Sequence, residues 1–510
     1  MFLAISGLEA DSLVAKSRTT NWPDVVFGGG SASSRISRAV DRGELKKIGP
    51  ALYTGNLDSD PKEVIARHRW QIVAHYAPNA VISHRTAFEA RPSPDGTVFM
   101  TGETGKRLDI SGLHLRVQKG SGPLPGDRPF MNGLLIASEP RQLLENLALA
   151  RERAEVRRTV SRELVEQRLE TILRSRGETA LNAIRDQARE LAPALGATRE
   201  LALLEGIIGA LLRSRPADIL HTPVAQARAA GTPFDPERIE RFELFARSLT
   251  TMSPPLRPDL VTAGPAFQNL AFFDAYFSNF IEGTEFEVEV AHAIVFEGAI
   301  PPRRPEDAHD VLGTYRLVGD PKWLRRAVVA DRDSASFLAR LREAHATLMA
   351  GRPEGGPGQW KTIPNQAGGT RFVEPELING TLSRGWELTR SLTTAFQRAG
   401  MIMFVITEVH PFNDGNGRVA RAFMNAELVA AKERRILIPT VYRDDYLGAL
   451  RSLSRQDEPM PFMLMLDQAQ RFTNSIRWDE YRTALADLTA ARAFEAPEDG
   501  IRLLIPRTAV

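Results

Sequence analysis

The segment "LTTAFQRAGMIMFVITEVHPFNDGNGRVARAFMNAELVAAKERR", residues 392–435, constrains the fold more than any other part of the chain. Its first half is an apolar-rich run of helical character. This run ends at His410, because Pro411 disfavours helical geometry for the residue before it. "DGNG" must then turn tightly, since glycine and asparagine tolerate positive φ better than other residues. Helical character resumes at Arg418, so the sequence predicts two core helices joined by a glycine loop.

The same loop contains residue types that handle phosphate and protons. Backbone N–H groups of a glycine turn, placed just before a helix N-terminus, form an anion site. Arg418 and Arg421 are three residues apart, so both leave one helix face, and their planar guanidinium groups suit phosphate oxygens. Asp414 would repel phosphate unless a hard cation lay between them, which indicates Mg²⁺. His410 ionises near neutrality and can take a proton from a hydroxyl.

These residues match the Fic motif, H-x-F-x-[D/E]-G-N-G-R-x-x-R, and the resemblance extends over roughly residues 260–480. It implies an all-helical core with a β-hairpin flap. It also implies in-line transfer of AMP from ATP to a Tyr, Thr or Ser hydroxyl of a target protein, with pyrophosphate leaving. The specified positions are filled by His410, Phe412, Asp414, Gly415, Asn416, Gly417, Arg418 and Arg421.

The resemblance implies a role for each of these residues. His410 is the base that deprotonates the target hydroxyl, Asp414 positions Mg²⁺ on the α- and β-phosphates, and Phe412 is a buried anchor. The loop lacks the lysine of Doc-like kinases, which favours AMP transfer over phosphate transfer. The remaining motif residues are expected to bind the nucleotide: Gly415, Asn416 and Gly417 as the anion loop, Arg418 and Arg421 as β/γ-phosphate contacts.

A predicted hairpin, "WKTIPNQAGGTRFVEP" at residues 360–375, lies where the Fic family keeps its flap. In the family this strand edge holds the target segment by β-augmentation. The resemblance therefore implies that the hairpin binds a target protein, although it does not identify the flap residues that matter.

A second pattern lies upstream, in "SNFIEGTEFE", which begins at Ser278. Ser278 and Glu282 are i, i+4 on a predicted helix that ends at Gly283, a suitable C′ glycine. Taken alone, these are a surface serine and glutamate. The pattern also resembles the family's inhibitory motif, [S/T]-x-x-x-E-[G/N], which implies that Glu282 pairs with Arg421 and blocks the γ-phosphate. In some relatives this glutamate instead aligns a hydrolytic water, so removal of AMP from a modified protein is an open alternative.

The N-terminal stretch "GGGSASSRISRAVDRGELKKIGPALYTGN", residues 28–56, predicts a short amphipathic helix followed by two strands, the outline of a winged helix. Five basic residues against Asp41 and Glu44 leave a local excess of +3, enough for several phosphate contacts. DNA binding and a solvated helix face both fit this charge. The basic residues are Arg35, Arg38, Arg42, Lys46 and Lys47.

This region resembles the N-terminal domain of AbiEi-type antitoxins over perhaps the first 150 residues. The match rests on Ser34, Arg35, Gly43 and Leu45, and on "PNAVISHRTAFEA" at residues 78–90. It implies an operator-binding or antitoxin-like module. An alternative function is therefore a DNA-binding regulator or antitoxin-like protein whose Fic core senses nucleotide.

Length and composition set the remaining expectations. The 510 residues suggest about three domains, and the chain contains no cysteine, which suits a reducing cytosol. No signal peptide and no apolar stretch of about 20 residues is evident, so we expect a cytoplasmic protein without a membrane span. His84 and His309 lie in no metal-ligand spacing, and a dimer is compatible with the sequence.

The predicted fold class is mainly α, with an α+β region at the N-terminus. The predicted segments are a winged-helix-like domain (1–56), an AbiEi-like α+β region (57–150), a helical connector (151–250), a Fic domain with its inhibitory helix (251–480) and a C-terminal tail (481–510). Within the connector, an apolar stripe from Val156 to Leu173 predicts a helix that ends at Gly177.

Overall fold

The protein is described here by a computed structural model, which covers residues 22–149, 156–259, 263–496 and 502–505. The chain divides into two compact units, Met1–Ala229 and Ala230–Val510. Among the described residues, no helix combines the length and the apolar character that crossing a membrane requires. The fold is mainly helical, as predicted, and the strands are concentrated in the first unit.

The first unit combines short strands with helices. Its strands are β1 (Val26–Phe27), β2 (Lys46–Gly49), β3 (Leu52–Thr54), β4 (Val81–Ile82), β5 (Thr97–Gly102), β6 (Lys106–Ile110), β7 (Leu113–Lys119), β8 (Arg128–Pro129) and β9 (Leu135–Ile136). Its helices are α1 (Ser33–Asp41), α2 (Pro61–Arg67), α3 (Arg69–Tyr76), α4 (His84–Glu89), α5 (Glu139–Leu147), α6 (Arg162–Leu195), α7 (Thr198–Leu211) and α8 (Pro223–Ala229). The strands form an antiparallel sheet, β1-β3-β2, and a mixed sheet, β6-β7-β5-β4-β9-β8.

The predicted N-terminal helix and hairpin are present as α1, β2 and β3. The predicted boundary at residue 56 is not a break in the core, however. Val25 and Leu52 belong to the same buried cluster as Val64 and Ile72. Apolar side chains on both sides of the boundary therefore share one core, which the short N-terminal sheet is too small to build alone.

The helix predicted from Val156 begins later and extends further than expected. α6 starts at Arg162, where the Ser161 hydroxyl caps it by accepting a hydrogen bond from the Leu164 N–H at 3.4 Å. Gly177 leaves helical geometry with φ 77° and ψ 177°, but helical residues resume and reach Leu195. The predicted end at Gly177 is thus a break inside a longer helical segment.

The second unit is a helical bundle with one small hairpin. Its helices are α9 (Pro236–Leu249), α10 (Pro265–Ile281), α11 (Val288–Glu297), α12 (Pro305–Val318), α13 (Pro321–Leu324), α14 (Ser334–Leu348), α15 (Ile378–Ser391), α16 (Ala395–Val409), α17 (Asn416–Ala430), α18 (Arg443–Gln456), α19 (Met460–Ser475) and α20 (Tyr481–Ala490). The predicted hairpin is present as β10 (Gln366–Ala367) and β11 (Thr370–Arg371), paired antiparallel.

α16 lies at the centre of this bundle, where every one of its residues except Arg398 and Thr407 is buried. It packs against α9, α15 and α17. Phe404 contacts Phe242 and Phe245 of α9, with ring centroids 5.9 Å and 5.2 Å apart. The sequence assigned α9 to the helical connector, with a boundary at 250/251. The structure instead places α9 in the second unit, since its apolar face covers α16.

The C-terminal segment 481–510 also differs from the predicted tail. α20 packs on α10, where the Tyr481 ring stacks on Phe273 at 5.8 Å. Ala484, Leu488 and Ala491 are fully buried. Their spacing of four and three residues places them on one helix face, a signal that the sequence contained.

Candidate functional site

The motif loop has the backbone geometry that its sequence predicted. α16 ends at Val409, and His410 adopts a left-handed conformation with φ 52° and ψ 59°. Gly415, with φ 74°, is the N-cap of α17. The Asn416 side chain closes the turn: its Oδ1 accepts from the Phe412 N–H at 2.9 Å, and its Nδ2 donates to the Phe412 carbonyl at 2.9 Å. The Asn416 side chain therefore stabilises the loop and does not point to a ligand.

Phe412 is fully buried, as predicted. Its ring lies between His345 of α14, stacked at 3.6 Å, and Trp360, at 4.9 Å. The anchor holds the loop between two distant chain segments, one from α14 and one from the start of the flap segment.

His410 is held in one orientation. Its ring stacks on Phe372, which follows β11, at 3.8 Å. Its Nδ1 lies 3.3 Å from the Thr407 carbonyl, which can only accept, so Nδ1 carries the hydrogen and Nε2 keeps its lone pair. Burial, aided by the positive charge of Lys361, lowers the pKa of His410 to about 4. His410 is therefore neutral near pH 7, with Nε2 able to accept a proton.

Like its neighbour Asn413, Asp414 is exposed. Its Oδ1 accepts from the Gly415 N–H at 2.6 Å, its Oδ2 accepts from Arg418 at 3.1 Å, and its side chain is 54% exposed. Within the described ranges, no group of three His, Asp or Glu side chains is arranged to hold a metal ion. One accessible carboxylate still fits Mg²⁺, which typically takes one or two protein carboxylates and completes its shell with phosphates and waters.

Arg418 and Arg421 are both buried but have different partners. The Arg418 guanidinium contacts Asp310 of α12 at 3.2 Å and Asp414 at 3.1 Å. Both arginines also reach α10: Arg418 donates to Asn279 Oδ1 at 3.4 Å, and Arg421 donates from Nε to the Ser278 hydroxyl and from Nη2 to the Ser278 carbonyl, each at 2.9 Å. The predicted common face is therefore occupied by two separate ion-pair networks.

Glu282 completes the Arg421 network. Its Oε1 accepts from Arg421 Nη2 at 2.7 Å. Glu282 is the C-cap of α10, and Gly283 follows with φ 91°, which glycine adopts without strain. The structure thus brings together the three residues of the second sequence pattern and the second motif arginine.

The Glu282 carboxylate lies directly on the glycine turn. A Cβ added at Gly417 would lie 2.1 Å from Glu282 Oε1 and 2.9 Å from Arg421 Nη1. Among the described residues, Arg421 Nη1 is buried without a hydrogen-bond partner. A carboxylate and an unused guanidinium N–H therefore meet at the turn where the sequence predicted an anion.

A cavity of about 230 Å³ connects these groups. His410, Glu282, Gly417 and Arg421 line it. The hairpin, Phe372 just after it, and α18 also contribute, through Ala367, Thr370, Phe372, Tyr446, Leu447, Leu450, Arg451 and Arg455. The flap hairpin and the motif loop therefore face one space.

Three residues around the loop were missed by the sequence reasoning: His345, Lys361 and Asp310. Lys361 Nζ donates to Asn365 Oδ1 at 2.6 Å, its backbone N–H donates to the Pro411 carbonyl at 2.9 Å, and burial lowers its pKa to about 8. Asp310 holds Arg418 and also accepts from Arg352 at 2.7 Å. These residues come from segments remote in sequence, and their types are common on helix surfaces.

The N-terminal basic residues are all exposed. Arg42 is paired with Glu44 at 2.7 Å, so its guanidinium is already engaged, while the local excess of +3 already counts Glu44. The Arg35 guanidinium lies 4.8 Å from the centroid of the Trp22 ring. Arg38 and the two lysines of β2, Lys46 and Lys47, remain on the surface of the same helix and hairpin.

Comparison with known proteins gives matches for the part of the chain that contains the motif loop. Residues 337–428 match the Fic/DOC family. The chain is 23% identical over 184 residues to protein adenylyltransferase fic-1 of Caenorhabditis elegans, covering 35% of this chain and 36% of that protein. It is 24% identical over 197 residues to protein adenylyltransferase Fic of Nematostella vectensis, covering 38% and 45%. The match thus spans less than half the length of either relative.

Solved structures give similar matches. Fic-1 (residues 134–508) from C. elegans has a TM-score of 0.35 and 17% identity, covering 64% of this chain and 98% of that chain. A Fic domain containing signaling protein from Bacteroides thetaiotaomicron has a TM-score of 0.37 and 17% identity, covering 52% and 100%.

Proposed function

We propose, on the premise that residues 337–428 form a Fic domain, that this protein transfers AMP from ATP to a Tyr, Thr or Ser hydroxyl of a target protein. The observation that carries the proposal is that His410, Gly417 of the glycine turn and Arg421 line one cavity. A base, an anion-binding turn and a phosphate contact therefore open on one space, where a bound phosphate and an acceptor hydroxyl can be held together.

The reaction follows from these positions. His410 Nε2 takes the proton of the target hydroxyl as the hydroxyl oxygen bonds to the α-phosphorus, and the bond from this phosphorus to the β-phosphate bridging oxygen breaks. The backbone of the glycine turn and the α17 N-terminus stabilise negative charge on the phosphates. Asp414 would hold Mg²⁺, which neutralises phosphate charge when bound. The edge of the β10–β11 hairpin would hold the target segment next to His410.

The proposed enzyme inhibits itself through Glu282. The carboxylate uses Arg421 and fills the space above Gly417, so it occupies the position assigned to the γ-phosphate. An ATP molecule that binds under these conditions lacks the Arg421 contact, and its α-phosphorus is not aligned with His410. Inhibition in cis follows because Glu282 and the motif lie on the same chain and in the same unit.

Transfer is tested with ATP labelled at the α- or the γ-phosphate, incubated with Mg²⁺ and cell lysate. Glu282→Gly is expected to label itself or a target from α-labelled ATP only, at least tenfold faster than the unaltered protein. His410→Ala in the Glu282→Gly background should abolish labelling. Label transferred from the γ-phosphate would indicate a kinase. Undiminished labelling by the His410→Ala protein would exclude this histidine as the base.

A reverse reaction is the second candidate. Glu282 lines the cavity that His410 also lines, and its side chain is 28% exposed, so its carboxylate can reach a water there. A Glu282-oriented water would attack the phosphorus of a modified side chain and release AMP. Incubating the unaltered protein and Glu282→Gly with an AMP-modified target distinguishes the candidates, since only the reverse reaction would require Glu282.

The exposed basic residues of α1 and β2 support a third role, binding of DNA by the N-terminal region. Once Arg42 is paired with Glu44, four of the predicted residues are available for phosphate contacts: Arg35, Arg38, Lys46 and Lys47. A gel shift with promoter DNA over a range of salt concentrations tests this role. A strong shift combined with no labelling by Glu282→Gly would favour a nucleotide-sensing regulator over a transferase.

A further inference from the structure

A buried histidine outside the motif has a defined role in the shape of the anion loop. His345, on α14, is fully buried and stacks on Phe412 with an interplanar angle of 2°. Its Nδ1 accepts a hydrogen bond from the Gly358 N–H at 2.9 Å, and its Nε2 lies 2.9 Å from the Asp414 carbonyl. All three contacts are with the motif loop or with the segment that leads into the flap.

The hydrogen-bond partners fix the tautomer. A backbone N–H can only donate, so Nδ1 must carry the lone pair. A carbonyl can only accept, so Nε2 must carry the hydrogen and donate it to Asp414. Burial lowers the pKa of His345 to about 4, which keeps the ring in this neutral form near pH 7.

The Asp414 carbonyl has only a weak local restraint, because the other end of its peptide group, the Gly415 N–H, donates at 2.6 Å to an Asp414 side chain that is 54% exposed. It belongs to the peptide group between Asp414 and Gly415, and glycine with φ 74° allows this group to turn over at low cost. If the group turned over, its carbonyl oxygen would take the place of the Gly415 N–H, break the bond to Asp414 Oδ1 and add a negative dipole to the loop proposed to bind phosphate. Gly415 also leaves no room for a side chain, since a Cβ there would lie 3.3 Å from His345 Nε2 and 2.9 Å from the Met349 sulfur.

We propose that His345 is a positioning residue for nucleotide binding: its Nε2–H holds the Asp414 carbonyl away from the anion site, so that the glycine turn keeps its phosphate-binding geometry. The same ring joins this turn to the flap segment through Gly358, whose carbonyl accepts from Arg342 at 2.7 Å. α14 therefore aligns the nucleotide loop and the base of the target-binding hairpin with one side chain. This inference rests on the proposed function, since it names the anion as a nucleotide phosphate.

Two variants separate positioning from simple packing. His345→Phe keeps the ring against Phe412 and removes both hydrogen bonds. His345→Gln places an N–H donor near the Nε2 position and should rescue the bond to Asp414. His292→Phe is the control, because this histidine of α11 packs in another aromatic cluster, against Phe272 and Tyr481.

The binding measurement uses Glu282→Gly protein, Mg²⁺ and ATP carrying a fluorescent methylanthraniloyl group. His345→Phe is expected to weaken affinity about tenfold, equivalent to about 1.4 kcal/mol. His345→Gln should stay within about threefold of the parent and His292→Phe should match it. If both His345 variants lower the melting temperature while ATP affinity is unchanged, His345 only packs the core and the proposal is wrong.

Hydrogen exchange without nucleotide gives an independent measurement. Amides of residues 410–418 should exchange faster in His345→Phe than in the parent, with His345→Gln close to the parent. Unchanged exchange in His345→Phe would overturn the proposal even if ATP did not bind to any of these proteins. The two proposals can also fail separately. If loop exchange and ATP affinity depend on His345 but the protein transfers no AMP, the transferase function is refuted and the role of His345 stands.

Discussion

The pair between Glu282 and Arg421 makes a prediction about stability as well as activity. Glu282→Gly removes the carboxylate from a guanidinium that is only 4% exposed. Breaking a buried pair typically costs about 3–5 kcal/mol. Ser278 still accepts two hydrogen bonds from Arg421, and the Glu282 side chain is 28% exposed. We therefore expect a loss of about 2–3 kcal/mol, below that range, since one charge-assisted hydrogen bond is worth about 1.5–3 kcal/mol.

This loss should be recovered by ATP. A loss of this size lowers the melting temperature of a unit of 150–250 residues by roughly 4–12 °C, so we expect no more than that for the larger second unit, residues 230–510. Phosphate oxygens can replace the carboxylate at Arg421, so ATP with Mg²⁺ should raise the melting temperature more in Glu282→Gly than in the unaltered protein. Thermal unfolding with and without ATP measures both effects. Glu285→Gly is the control, because it makes the same substitution three residues later at an exposed side chain.

Two results would refute this reasoning. If Glu282→Gly melts at the same temperature as the unaltered protein without ATP, the pair contributes nothing to the fold. If ATP raises both melting temperatures equally, Glu282 does not occupy a position that ATP uses. Either result would leave the observed contacts of Arg421 unchanged but would argue against their role in inhibiting the enzyme.

Three further predictions concern the loop, and one concerns the N-terminal helix. Because the pKa of His410 is about 4, labelling by Glu282→Gly should be independent of His410 ionisation between about pH 6 and 8 and should fall below about pH 5 as the base is protonated; a rate that halves near pH 6.5 would contradict this. Phe412→Ala should cost about 3–5 kcal/mol in urea unfolding, since the ring is fully buried. Asp414→Asn should raise the Mg²⁺ concentration needed for half-maximal labelling, while its side-chain oxygen can still accept from the Gly415 N–H. Arg38→Ala should weaken any DNA complex and lower its salt dependence by about one charge.

The loop itself was predictable because all of its determinants are contiguous. Pro411 ends α16, Gly415 provides the positive φ that begins α17, and Asn416 closes the turn with bonds to a residue four positions away. Each of these effects acts over a few residues, so it can be read without knowing the fold. The hairpin was predictable for the same reason, since the Gly368–Gly369 turn lies between its two strands.

The groups that orient the loop were not predictable in this way. His345, Lys361 and Asp310 reach it only through tertiary packing, and nothing in their neighbourhoods distinguishes them from ordinary helix or loop residues. Tertiary packing also explains why Arg418 and Arg421 have different ion-pair partners. Their spacing placed both on one helix face, but Asp310 of α12 and Glu282 of α10 approach that face from different elements. The predicted domain boundary at 250/251 was wrong because α9, on its N-terminal side, packs its apolar face on α16 and so belongs to the second unit.

If the protein has the proposed function, the internal carboxylate and the nucleotide bind at the same place for the same reason. Each brings an anion to Gly417 and Arg421. Gly417 leaves a space that an anion fills, and Arg421 supplies the charge that holds it. The carboxylate accepts a single hydrogen bond from Arg421, while Nη1 remains without a partner among the described residues. A phosphate, with more acceptor oxygens, can use both guanidinium nitrogens.

The carboxylate competes because it is attached to the same chain, so its local concentration is high without any external ligand. Inhibition and catalysis therefore cannot be optimised separately here: a substitution that improves the anion site for phosphate also improves it for Glu282. Only changes in the glutamate, or in the α10 terminus that presents it, alter the balance between the two occupants.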